Sequence, residues 1–141
     1  MRKERSMTAR QWMNRAWNVA REIESLERSR NDEFDKMTKM TPAYSVDPVQ
    51  SASDPHKFER LSAYSEAIDR QKERLDYIKA ETLAAISLLP NSIHRQILKE
   101  RYLDMLRFEA ISLNIRYSYK QTRRLHARAL EELERMEGPW N

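Results

Sequence analysis

The chain has 141 residues, of which 34% are charged and 40% hydrophobic, with one glycine and no cysteine. This composition favours charged helices over sheets, and the length suits one domain or a small domain with an extension. The lack of cysteine excludes disulfides and thiolate metal sites, and a single glycine excludes a glycine-rich phosphate loop. The net charge of +4 is compatible with an anionic partner.

The first residues are basic but no apolar run follows them, so we expect no secretory signal. The longest nearly apolar run, residues 83–90, is far too short to span a bilayer. These two features predict a soluble, cytoplasmic protein without a membrane partner.

The first periodic segment predicts a long helix over about residues 8–39. Its apolar residues recur in steps of four and three, as in a coiled coil: Trp12, Ala16, Val19, Ile23 and Leu26. Thr8, followed three residues later by Gln11, has the pattern of a capping box at the start of this helix.

A proline- and serine-containing linker is predicted near residues 41–56, before a second long helix at about 55–89. The second helix also carries apolar residues in steps of three and four, and Pro90 follows its end. We expect residues 1–89 to form a helical hairpin of coiled-coil type. Pairing of these helices with a second copy of the chain, giving a homodimer, fits the same pattern.

Three shorter helices are predicted in the rest of the chain, at about residues 92–103, 107–114 and 118–136. Asn91 or Ser92 suits the cap of the first, and Ser118 with Gln121 forms a capping-box pattern for the last. Gly138 and Pro139 are a usual helix stop. Residues 90–137 are therefore expected to form a helix-turn-helix module before a tail at 138–141, and the whole chain to be all-α.

A basic run lies at the start of the last predicted helix. Between residues 116 and 128 the chain has five Lys or Arg and no Asp or Glu, while apolar residues continue at helical spacing. The second helix of a helix-turn-helix presents such long polar side chains to the major groove. The candidate DNA-binding residues are Arg116, Ser118, Tyr119, Lys120, Gln121, Arg123, Arg124 and Arg128. A solvated face of a packed helix is the competing interpretation.

Residues 89–133 resemble the helix-turn-helix modules of sigma-70 region 4. The matching positions are the Leu89-Pro90 start, Arg95, Leu98, Arg101-Tyr102, Ile111, Tyr117-Ser118, and Arg128-Ala129-Leu130 followed by Leu133. The likeness is greatest to small phage proteins with this module behind a long helical N-terminal part. They include late-gene transcription regulators of the ArpU and RinA type.

The resemblance implies that bases of a promoter are read from the first two turns of the last helix. By position these are Tyr119, Lys120, Arg123 and Arg124. Four positions depart from the usual pattern of such modules. Arg116 and Met105 stand where glycine is common, Arg107 replaces a Ser or Thr cap, and Thr122 replaces an apolar core residue.

No pattern in the chain indicates an enzyme, a metal site or a cofactor. His56, His94 and His126 have no metal-ligand spacing to carboxylates, and no serine has an evident base. His94 is expected to be an exposed helix residue, and His126 to pack or meet solvent. Trp140, in the tail, is expected to be disordered or to dock locally.

We therefore expect a DNA-binding transcription regulator of phage or prophage genes in the bacterial cytoplasm. Its expected partners are double-stranded DNA, RNA polymerase and, through the N-terminal helices, a second copy of the chain. Two alternatives stay open. One is a DNA-packaging protein of the small terminase kind, which light scattering would reveal as a ring, and the other is a coiled-coil adaptor that binds no DNA.

Overall fold

A computed structural model of the chain describes residues 7–38 and 55–141, and these residues form six α-helices and no strand. The helices are α1 (Ala9–Met13), α2 (Arg15–Thr38), α3 (Lys57–Ile86), α4 (Ser92–Tyr102), α5 (Phe108–Ile115) and α6 (Tyr119–Arg135). The all-α prediction is confirmed for this part of the chain. The predicted linker at 41–56 lies outside the described residues except for its last two. None of the described helices is both long and apolar enough to cross a membrane.

The first predicted helix begins as expected but is divided in two. The Thr8 hydroxyl accepts a hydrogen bond from the Gln11 backbone N–H (3.2 Å), and the Gln11 side chain accepts one from the Thr8 backbone (2.8 Å). This confirms the capping box. At Asn14 the backbone ψ is −4°, outside the usual helical range, so α1 ends there and α2 begins at Arg15.

The chain divides into two compact units, one of which spans Val19–Arg74. Its described residues are most of α2 and the first part of α3, with Val19, Ile23 and Ile68 buried. Arg60, near the start of α3, forms an ion pair with Glu33, near the end of α2 (3.3 Å). That pairing is the one expected of two antiparallel neighbours.

The other unit contains Leu75–Asn141 and the described residues before Val19. Its core joins α1, the end of α3, α4, α6 and the C-terminal tail. Trp140 is buried in it, 5.1 Å from the Trp12 ring in an edge-to-face arrangement, so the tail docks against α1. The boundary predicted at residue 89, between a hairpin and a C-terminal module, stays a prediction.

The second long helix was predicted to reach about residue 89 but ends three residues earlier. α3 ends at Ile86, where Leu88 and Leu89 donate backbone hydrogen bonds to carbonyls only three residues back. Asn91 then caps α4, because its side-chain oxygen accepts hydrogen bonds from the backbone of Ile93 (2.9 Å) and His94 (3.2 Å).

Candidate nucleic-acid interface

Three residues, 116–118, connect α5 to α6. Arg116 adopts the left-handed conformation, with φ 61° and ψ 40°, and its N–H and that of Tyr117 both donate to the Ser112 carbonyl. Ser118 then accepts a hydrogen bond from the Gln121 backbone N–H (3.1 Å), which is the first half of the predicted capping box. The chain therefore leaves one helix and enters the next within a short, hydrogen-bonded connection.

Two backbone positions in this unit have positive φ without glycine. They are Met105 (φ 58°) and Arg116 (φ 61°), the two positions where the resemblance led us to expect glycine. A left-handed residue other than glycine costs about 1–2 kcal/mol because Cβ approaches the following carbonyl. Met105 and Arg116 thus adopt a left-handed backbone conformation that glycine would adopt with less strain.

α6 turns Thr122 toward the core, where the side chain is fully buried. Its hydroxyl donates a hydrogen bond to the Ser118 carbonyl (2.9 Å). A buried hydroxyl that has a partner avoids most of the desolvation penalty. This explains how a polar residue is accommodated at a position where the resembling modules carry an apolar one.

His126 lies on the buried side of α6. The residue is 7% exposed, its Nε2 lies 2.8 Å from the Tyr102 hydroxyl, and its ring stacks on Tyr102 and meets the edge of Phe108. Burial, together with the charges of Arg10, Arg101 and Arg123, lowers the pKa of His126 to about 4. The imidazole is neutral near pH 7, and the prediction that it packs is confirmed.

The prediction that His94 is exposed was wrong. The residue is 9% exposed, and its Nδ1 lies 2.7 Å from a carboxylate oxygen of Glu132 on α6. Sequence alone could not reveal this partner, because it stands 38 residues away. Leu113, an apolar residue of α5, is by contrast 79% exposed.

All the candidate DNA-binding residues are exposed on the surface: Arg116, Ser118, Tyr119, Lys120, Gln121, Arg123, Arg124 and Arg128. At 100° per residue, four of them share one side of α6, opposite the buried Thr122. We call this side the outward face and define it as Lys120, Gln121, Arg124 and Arg128.

The cations of the outward face carry uncompensated charge. Within residues 7–38 and 55–141, the side chains of Lys120, Arg124 and Arg128 make no hydrogen bond or ion pair, and neither does the side chain of the neighbouring Arg116. Some other cations of this unit are paired: Arg15 with Glu81 (3.1 Å) and Lys99 with Asp104 (2.8 Å). Side chains with free donors can engage an anion without first breaking an internal contact.

Tyr119 and Arg123 lie apart from the outward face, on the flank of α6 nearest α5. The Arg123 guanidinium donates to the Tyr119 hydroxyl (3.3 Å) and lies over the rings of Phe108 (5.6 Å) and Tyr119 (5.8 Å). Cation–π contact holds Arg123 against the protein. The predicted set therefore separates into an outward face and a stacked pair at its side.

The described residues contain no group of three or more His, Asp or Glu placed to hold a metal ion. Comparison of the chain with protein-family models, with curated proteins and with solved structures finds no significant match.

Replacing Arg116 with glycine is expected to stabilise the fold and weaken DNA binding. Glycine removes the left-handed strain, worth about 1 kcal/mol, while the loss of one cation lowers affinity several-fold. Chemical denaturation and gel shifts measure the two effects. Met105→Gly has the same backbone geometry outside the basic run, so it should leave DNA affinity unchanged. If the Arg116→Gly protein had a lower free energy of unfolding than the wild-type protein, the left-handed conformation of Arg116 would not be a source of strain.

Proposed function

We propose that the protein is a sequence-specific DNA-binding regulator of transcription from phage or prophage genes. In this proposal α5, the short connection and α6 form a helix-turn-helix of the sigma-70 region 4 type, and α6 enters the major groove of a promoter. The observation that carries the proposal is the outward face of α6, with three unpaired cations and a glutamine opposite a packed core.

The dimensions of α6 suit this role. Its 17 residues span about 25 Å at about 1.5 Å per residue, and its first two turns are about 11 Å long. A major groove about 12 Å wide admits a helix whose N-terminal turns meet the base edges. Arg124 lies on the second turn and can donate two hydrogen bonds to guanine, while Gln121 can pair with adenine.

The sites of phosphate contact follow from the same arrangement. Arg116 precedes the helix and Arg128 lies in its third turn, and in the proposal these two residues contact phosphates at the borders of the groove. The first backbone N–H groups of α6 add a partial positive charge. The Ser118 hydroxyl accepts a hydrogen bond from one of these groups, the Gln121 N–H, and caps the helix at that point.

The long helices α2 and α3 would supply contacts beyond DNA. In the proposal they form a coiled coil that pairs two copies of the chain or contacts RNA polymerase. The unit spanning Val19–Arg74 exposes Phe34 and Phe58, which are 56% and 72% accessible and available to such a partner.

Selection of bound duplexes from a random library tests the proposed function. A sequence-specific regulator enriches one defined motif over successive rounds, and the Arg124→Ala protein enriches none or a shorter one. Enrichment without any common sequence would contradict sequence-specific binding. Complete absence of binding at low salt, with a protein captured through α2 and α3, would favour the adaptor.

A further inference from the structure

A cleft of about 180 Å³ lies beside the outward face, between the start of α4 and the adjoining side of α6. The first wall consists of Asn91, which caps α4, and Ile93 in the first turn of α4, and Tyr117 from the connection before α6 also lines the cleft. Ile93 is half-buried, and Tyr117 is 39% exposed. This wall thus combines an apolar side chain, an aromatic ring and the Asn91 amide at the N-terminus of α4.

The second wall belongs to α6 and carries the charge. Leu125 gives it an apolar patch, and Arg124 and Arg128 line the cleft with two guanidinium groups. No carboxylate belongs to the lining. Glu132, the next acidic residue on that side of α6, is bonded to His94. The cleft is therefore electropositive, with apolar surfaces on both sides.

Size and charge together restrict what the cleft can hold. Sites that enclose drug-sized ligands begin at about 300 Å³, so a volume of 180 Å³ suits a fragment the size of a sugar-phosphate unit. The planar guanidinium group donates two parallel hydrogen bonds to a pair of phosphate or carboxylate oxygens. Ile93, Leu125 and the Tyr117 ring are the surfaces that a deoxyribose would contact.

We propose that this cleft binds a nucleotide phosphate, supplied by the DNA strand beside the groove that α6 enters. The proposal rests on the proposed function and adds α4 and Tyr117 to the interface. Arg124 and Arg128 belong both to the cleft and to the outward face, so a duplex on that face brings one strand to the cleft entrance. The helix dipole of α4 favours an anion at the same place.

Two substitutions at Ile93 test the subsite. Ile93→Glu and Ile93→Gln have the same side-chain shape and differ in charge, so their difference measures the electrostatic effect inside the cleft. The position lies in the first turn of α4, where a carboxylate is compatible with the helix dipole and folding is retained. At about 100 mM salt, the Glu protein should bind duplex DNA about tenfold more weakly than the Gln protein, with a salt slope lower by about one.

Gln96→Glu on the same helix is the matched control for net charge, since Gln96 is exposed and does not line the cleft. It should bind DNA as the wild-type protein does. If the wild-type protein binds DNA and the two Ile93 variants bind it equally, the subsite is contradicted while the DNA-binding function stands.

If the wild-type protein binds no duplex, the proposed function fails. Titration with deoxythymidine monophosphate then tests whether the cleft binds a free nucleotide. Shifts of the Ile93 and Tyr117 amide signals that Ile93→Glu abolishes would overturn the DNA strand as the source and support a free nucleotide. The absence of such shifts would overturn the phosphate site itself.

Discussion

Replacing Arg124 with glutamate is expected to reduce affinity for a specific duplex about 100-fold. The substitution removes one contact worth about 1–3 kcal/mol and adds a carboxylate that repels phosphate. Arg124 is exposed, makes no internal hydrogen bond or ion pair with the described residues, and belongs to both the outward face and the cleft. Fluorescence anisotropy over a series of salt concentrations measures the affinity and the salt slope, which should fall by about one or two.

Arg135→Glu is the matched control, because Arg135 is an exposed arginine at the far end of the same helix. It changes the net charge equally and should alter the affinity for DNA by less than about threefold.

The Arg124→Lys variant separates the charge of Arg124 from its paired hydrogen bonds. Lysine keeps the charge but cannot form the paired hydrogen bonds to guanine, so binding to random DNA should persist while preference for the selected motif falls. If Arg124→Glu and Arg135→Glu reduced the affinity for DNA equally, the effect would come from the net charge of the protein and not from a contact made by Arg124.

Acid is expected to destabilise the unit that contains α6, through His126. The pKa of this group is lowered in the folded protein from 6.5 to about 4, mainly by burial. The stabilisation that comes from keeping the imidazole neutral is therefore complete above about pH 6.5 and is lost as the pH falls toward 4. A shift of this size corresponds to about 3 kcal/mol in the free energy of unfolding.

Urea denaturation of the wild-type and His126→Gln proteins between pH 7 and 4 isolates this effect. Glutamine can still bond to the Tyr102 hydroxyl but does not titrate, so its free energy of unfolding should fall less steeply with acid. The remaining ionisable groups are common to both proteins and cancel in the difference. Parallel curves for the two proteins would show that His126 is not held neutral by the fold.

Features of the fold that depend on local sequence were predictable. The capping box at Thr8 and the caps at Asn91 and Ser118 require only residues within one helical turn, and the periodicity of apolar residues indicated the helices. The left-handed conformation of Arg116 could be anticipated only through the resemblance, since glycine is the residue that normally marks such a position.

Features that depend on distant partners were not predictable. His94 is buried because Glu132 approaches it from α6, and Trp140 docks because Trp12 offers an aromatic edge at the other end of the chain. In the candidate site, sequence grouped Arg123 with Lys120 and Arg124 because all three are basic. Phe108 and Tyr119 hold Arg123 on the flank, and that distinction exists only once α5 packs beside α6.

The proposed function requires that α6 reads a defined DNA sequence in a cell. Mapping of bound DNA across the genome of a host that carries the gene tests it most directly, with the Arg124→Glu protein as the reference for lost binding. We expect the wild-type protein to occupy one or a few sites upstream of phage genes, sharing the motif selected in vitro, and the variant to lose them. Signal scattered equally across the genome for both proteins would contradict sequence-specific regulation.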